Sequence, residues 1–149
     1  MAQEHHVPDS LLPIHTERIY YPNTHQLAEK ASYYFDHWSE RKIRHGWTST
    51  WDQTGRLLSH IHYRHDTLSG ICERYYPNGN LKSKQHYHKG QLDGPAASYA
   101  PDGRLKWRGF FRAGIRHGNF LYYRRDGSER KRRVYHYGLR KSDVNVANS

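Results

Sequence analysis

Thirteen histidines in 149 residues make metal binding the first chemistry to weigh. Two pairs have HxH spacing, His60/His62 and His86/His88. On a strand, each pair projects from one face with its members about 7 Å apart. His62 and His86 hold equivalent places in the repeat described below, about 9.6 Å apart across two strand spacings. Zinc needs ligands about 2 Å away on several sides. Spacing fixes no third ligand and there is no CxxC, so these histidines read as solvated surface, and no metal or cofactor is expected. Cys72 is the single cysteine. Its repeat equivalents are Ala96 and Phe120, which makes it a small buried residue and not a nucleophile. Asp52, Asp66, Asp93, Asp102 and Asp126 stand singly, and Asp102 and Asp126 fall where turns favour Asp. No Ser-His-Asp order, phosphate loop or carboxylate pair stands out, so the chain does not read as an enzyme.

Binding is the remaining chemistry. Lys and Arg number 24 against 14 Asp and Glu, a net charge of +10. Such a surface suits an acidic protein or a nucleic acid. No apolar run approaches the ~20 residues of a membrane span. The N-terminus, MAQEHHVPDSLLPIH, lacks the basic and apolar regions of a signal peptide. With one cysteine no internal disulfide forms, which suits a reducing compartment, and a cytoplasmic location is expected.

The elements that must carry this surface are announced by glycine. Gly46, Gly70, Gly94 and Gly118 are 24 residues apart; so are Gly55, Gly79, Gly103 and Gly127; so are Gly90, Gly114 and Gly138. Only Gly109 stands outside these ladders. Trp51, Tyr75, Tyr99 and Tyr123 keep the same step, as do Leu57, Leu81 and Leu105. Pro77-Asn78-Gly79 and Pro101-Asp102-Gly103 each predict a type I turn with a following left-handed Gly, closing a hairpin. That sets Tyr75 opposite Leu81 and Tyr99 opposite Leu105. Lys89-Gly90 and Ala113-Gly114 reverse the chain again, leaving pieces that fit strands of about 6 residues. Alternation puts Tyr99, Leu105, Trp107 and Phe111 on a buried face, and Arg104, Lys106, Arg108, Phe110 and Arg112 on the other. In 80–88, Leu81 and Tyr87 oppose Lys82, Lys84, His86 and His88.

The prediction is an all-β, elongated, twisted antiparallel meander of about five 24-residue hairpin repeats. Residues 1–18 form an N-terminal segment. Residues 19–141 form the repeat domain, with units 19–46, 47–70, 71–94, 95–118 and 119–141. Residues 142–149 read as a flexible tail. The stretch LAEKASYYFDHW in the first unit fits either a strand or a short amphipathic helix. In the last unit the run Arg130 to Arg133 places charges on both faces, which protects a terminal strand from stray pairing.

YYPNGNLKSKQHYHKGQLDG at 75–94 and YAPDGRLKWRGFFRAGIRHG at 99–118 resemble the bacterial variant of the MORN repeat, in particular the YwqK-type antitoxin family. The GxW core of the eukaryotic MORN consensus is absent. The resemblance implies an open hairpin array and an antitoxin or immunity role. Without a signal peptide the protector is expected in the cytoplasm, so the expected action is stoichiometric binding that occludes the active site of a cytoplasm-acting toxin. An inhibitor complements its target's field, so a chain of this charge expects a toxin that is acidic around its active site. The partner-binding candidates are Lys106, Arg108, Phe110, Arg112, Tyr122 and Arg124. The alternative is a basic nucleic-acid-binding repeat protein, weakened because the repeated aromatics lie on the face assigned to the core.

Overall fold

The computed structural model describes residues 8–146. After one 3-10 turn at Asp9–Leu11, eleven strands follow: β1 (His15–Tyr20), β2 (Leu27–Phe35), β3 (Lys42–Trp51), β4 (Leu57–Arg64), β5 (Thr67–Tyr75), β6 (Leu81–His88), β7 (Gln91–Tyr99), β8 (Leu105–Arg112), β9 (Ile115–Tyr123), β10 (Glu129–His136) and β11 (Leu139–Asn145). They pair in chain order as one open sheet, and every pairing is antiparallel. The predicted meander is therefore the fold. Tyr75 lies opposite Leu81 and Tyr99 opposite Leu105, as the turn chemistry requires.

Two kinds of turn alternate. At the first, Tyr76 N donates to Asn80 O at 2.8 Å, Gly79 N donates to Tyr76 O at 2.9 Å, and Gly79 has φ +88°. Successive turns are stitched together, because Asn78 and Asn80 both donate side-chain N–H to Pro101 O, at 2.6 and 2.8 Å. At the second kind, Lys89-Gly90, Ala113-Gly114, Tyr137-Gly138 and His65-Asp66 all have positive φ at both residues. This is the type I′ geometry that matches strand twist. The amide of each second residue donates back to a carbonyl of the preceding repeat: Asp66 to Arg44, Gly90 to Leu68, Gly114 to Leu92 and Gly138 to Arg116. The remaining glycine ladder lies within strands. Gly46, Gly70, Gly94 and Gly118 lie inside β3, β5, β7 and β9, beside register shifts against the preceding strand.

One open alternative closes and two expectations change. The stretch LAEKASYYFDHW is strand through Phe35, because both edges of β2 are paired and Ala31 is buried between Glu17 and Thr48. The extra residues of the first unit form the loop after it, held by Asp36 Oδ1, which accepts from Trp38 N, Ser39 N and Ser39 Oγ. At the ends, β1 starts at His15, inside the segment placed before the repeats, and β11 runs to Asn145, inside the predicted tail. Residues 147–149 of that tail lie outside the described residues. The strand with charges on both faces, β10, is therefore not the edge. Its cations secure the true edge strand: Lys131 and Arg133 reach Asp143 of β11 at 3.0 and 3.5 Å, where Arg140 of β11 itself joins them at 3.4 Å.

One row of side chains across the sheet forms the core. Thr48, Cys72, Ala96 and Phe120 are 24 residues apart and all buried. They stand beside Ile61, Gln85 and Gly109 of the intervening strands. Tyr99, Leu105 and Phe111, expected to be buried together on one face, are only half-buried, and a register shift at Ser98/Tyr99 leaves Tyr99 and Leu105 beside Arg108 on the opposite face. The deepest aromatic is Phe120 at 1% exposure. Phe111 and Tyr135 meet its ring edge-on at 5.3 and 5.2 Å, and the Arg116 guanidinium lies 5.3 Å from its centroid. Burial also pushes the Cys72 thiol up from its ordinary value. A thiol reagent added to folded protein is expected to leave Cys72 unmodified, and to label it fully once the chain is unfolded in denaturant. Rapid labelling without denaturant would show that this row is not closed.

Candidate functional site

The antiparallel register decides which side chains share a face. On the face opposite the core, Lys84, Ala97, Arg108 and Leu121 form one row across β6 to β9. In the neighbouring row Pro95 stands beside Phe110. Because Pro95 and Ala97 are short, a groove of 380 Å³ opens between larger neighbours, with Lys84 and His86 on one wall and Arg108 and Leu121 on the other. A second hollow of 340 Å³ adjoins it, lined by Arg104, Leu105, Tyr123, Arg125 and Asp126, and Arg108 borders both. Four cations thus frame the pair of hollows against one carboxylate, Asp126.

These cations are not equally available. Lys84 Nζ lies 2.8 Å from Glu73, whose carboxyl is held below its ordinary range mainly by that hydrogen bond. Arg104 is turned to Asp102 at 2.7 Å. Arg108 has no carboxylate partner among the described residues, and neither do Lys106, Arg112 or Arg125.

The six predicted contact residues separate. Arg108, Phe110 and Arg112 share the groove face, with Phe110 40% exposed and Arg112 beside the Ala113-Gly114 turn. Lys106 is the exposed residue left unpaired where Tyr99 meets Leu105 and Ser98 meets Trp107. Tyr122 is on the other face, opposite Trp107 and Lys131, with the Arg133 guanidinium 5.3 Å from its ring. Arg124 is committed to structure: it donates to Glu129 O at 2.6 Å and to Val146 O, tying the last first-type turn to the end of β11. Register thus keeps Arg108, Phe110 and Arg112 together, leaves Lys106 at the irregularity, and removes Tyr122 and Arg124.

The HxH histidines are engaged one by one. His60 Nδ1 lies 2.7 Å from Ser49 Oγ, with its ring stacked on Trp47 at 4.0 Å. His62 and His86 bond the carbonyls of Ser69 and Pro95. Other histidines come together instead. Asp9, His45 and His65 offer ligand atoms that all lie within 4.8 Å of one another. His65 Nε2 is 3.1 Å from Asp9 Oδ1, and its Nδ1 is 2.8 Å from the Tyr34 hydroxyl. Burial pushes His45 below its ordinary pKa. Burial raises the Asp9 carboxyl, but the Arg64, His65 and His45 charges outweigh it and hold Asp9 below the usual carboxylate range. One signal for this cluster was present in the sequence: Asp66, beside His65, stands where the 24-residue step expects the glycine seen at Gly90. Asp9 comes from a segment outside every repeat, and nothing in the pattern could place it.

The strand pair β5–β6, with its Pro-Asn-Gly turn, is the unit to compare with known repeats. Residues 68–89 match the family model of the MORN repeat variant. This MORN segment is that strand pair with its turn, bounded by the type I′ turns, and its 24-residue steps fall on β3–β4, β7–β8 and β9–β10. No curated protein matches the chain. No helix among the described residues is long and apolar enough to cross a membrane.

Proposed function

We propose that this MORN-type sheet is an antitoxin or immunity protein that neutralises a cognate, cytoplasm-acting bacterial toxin by docking the β6–β9 groove over the toxin's active site. The observation that carries the reading is Arg108, an unpaired guanidinium bordering two hollows above a floor of Pro95 and Ala97. A short apolar floor framed by cations suits an acidic protein loop. The aliphatic stem of a Glu covers the floor while its carboxylate takes the guanidinium bidentately. Every strand of the groove is paired on both sides, so little ordering cost opposes binding.

Single-stranded nucleic acid would need stacking platforms on the same face. Between β3 and β9 the exposed aromatics there are Trp47 and Phe110, and His60 already lies flat on Trp47. Nucleic acid is therefore an outcome of the test. The test co-expresses this chain with the toxin domain encoded in a neighbouring reading frame. Relief of growth arrest together with capture of that domain supports the proposal. Submicromolar RNA or DNA binding at about 150 mM salt, with no protein captured, overturns it.

A further inference from the structure

We propose that Asp9, His45 and His65 form a binding site for one borderline divalent ion, zinc foremost, which clips the N-terminal segment onto the sheet beside the β4–β5 turn. The three residues come from distant places: Asp9 from the 3-10 turn before β1, His45 from β3, and His65 from the type I′ turn between β4 and β5. Their ligand atoms already lie within 4.8 Å of one another. Ligands on one tetrahedral zinc, at 2.0–2.1 Å from the ion, are about 3.3 Å from each other, so small side-chain rotations close the set. Two imidazoles and a carboxylate match zinc, cobalt or nickel, and are poor ligands for calcium or magnesium, which want oxygen throughout.

Further features go beyond mere proximity. Tyr34 Oη sits 2.8 Å from His65 Nδ1. By accepting that N–H it would fix the tautomer whose Nε2 lone pair faces Asp9, as outer partners do for metal-bound histidines. Arg64 holds Asp9 Oδ2, leaving Oδ1 toward His65. His45 Nδ1 is buried with no hydrogen-bond partner, so the set contains an unspent nitrogen. On binding, the ion takes the place between His65 Nε2 and Asp9 Oδ1, and any proton held there is released to solvent. Three protein ligands leave a fourth position for water or a group from a partner. This site is separate from the β6–β9 groove, and the ion proposal does not depend on the toxin reading.

The experiment titrates zinc chloride into untagged full-length protein against a chromophoric chelator, with thermal unfolding followed in parallel. One ion per chain is expected, with a zinc-dependent rise in Tm. Asp9→Asn and His65→Gln, both outside the core, should each abolish the site and the Tm rise. Tyr34→Phe should weaken it about 10–100-fold. His60→Gln and His86→Gln should leave it unchanged. Equal binding by wild type and the Asp9→Asn/His65→Gln double variant, loss of the ion only in the HxH variants, or no ion bound at micromolar zinc would each overturn the proposal.

Discussion

Phe120→Ala is expected to lower the unfolding free energy by about 3–5 kcal/mol, the usual cost of emptying a buried aromatic site. That is a large share of the 5–15 kcal/mol that holds a typical domain together. The reason is specific to this repeat. In the earlier units the row carries Ile61 beside Cys72 and Gln85 beside Ala96; in the last full unit Gly109 stands beside Phe120. A Cβ on Gly109 would come within 2.5 Å of the Phe120 ring. Gly109, the one glycine outside the ladders, is therefore the space into which Phe120 grew. Its backbone has no positive φ, so space alone excludes a side chain. Gly109→Gln alone should overpack the row and destabilise by about 1–3 kcal/mol. The double variant Gly109→Gln/Phe120→Ala rebuilds the pairing of Gln85 with Ala96. It should recover about 0.5–3 kcal/mol relative to the sum of the single changes. Urea unfolding of the four proteins measures this. Additive losses would mean that the two positions do not share one space.

The second large effect concerns the groove. Arg108→Glu should weaken a complex with the toxin domain by about 2–5 kcal/mol, roughly thirtyfold to five-thousand-fold, since it sets a carboxylate against an acidic surface. Arg108 is exposed, and its strand neighbours Ala97 and Leu121 offer no ion pair to lose, so the fold should survive. Lys30→Glu supplies the control, because Lys30 is an exposed cation on the same face of β2, six strands away. It should change affinity little beyond what net charge does through steering. Equal losses from both variants would point to a diffuse electrostatic contact rather than to the groove.

The contrast between ladder residues and the rest explains what could be read from the chain beforehand. Turn chemistry is local, so Pro77-Asn78-Gly79 fixed a hairpin and with it the opposition of Tyr75 and Leu81. Period-two alternation then placed Lys84 and Arg108 on the outer face. Residues near hairpin ends escaped this logic. Tyr122 and Arg124 had the right chemical types, but pairing with Trp107 sets the first on the face of Phe120, and the closing turn engages the second. The groove was invisible because it arises from absence of bulk at Pro95 and Ala97, between strands whose larger side chains attract notice. The Asp9 cluster joins a segment without repeat character to two histidines that resemble eleven others.

The most direct measurement of the central claim is the binding stoichiometry and footprint of wild-type protein with the purified toxin domain, at about 150 mM salt with excess RNA as competitor. The account predicts a 1:1 complex burying roughly 1,200–2,000 Å², indifferent to the RNA, with amide-exchange protection concentrated on β6 to β9. A complex displaced by RNA, or one whose protection falls on the Tyr122 face and spares Arg108, would contradict it.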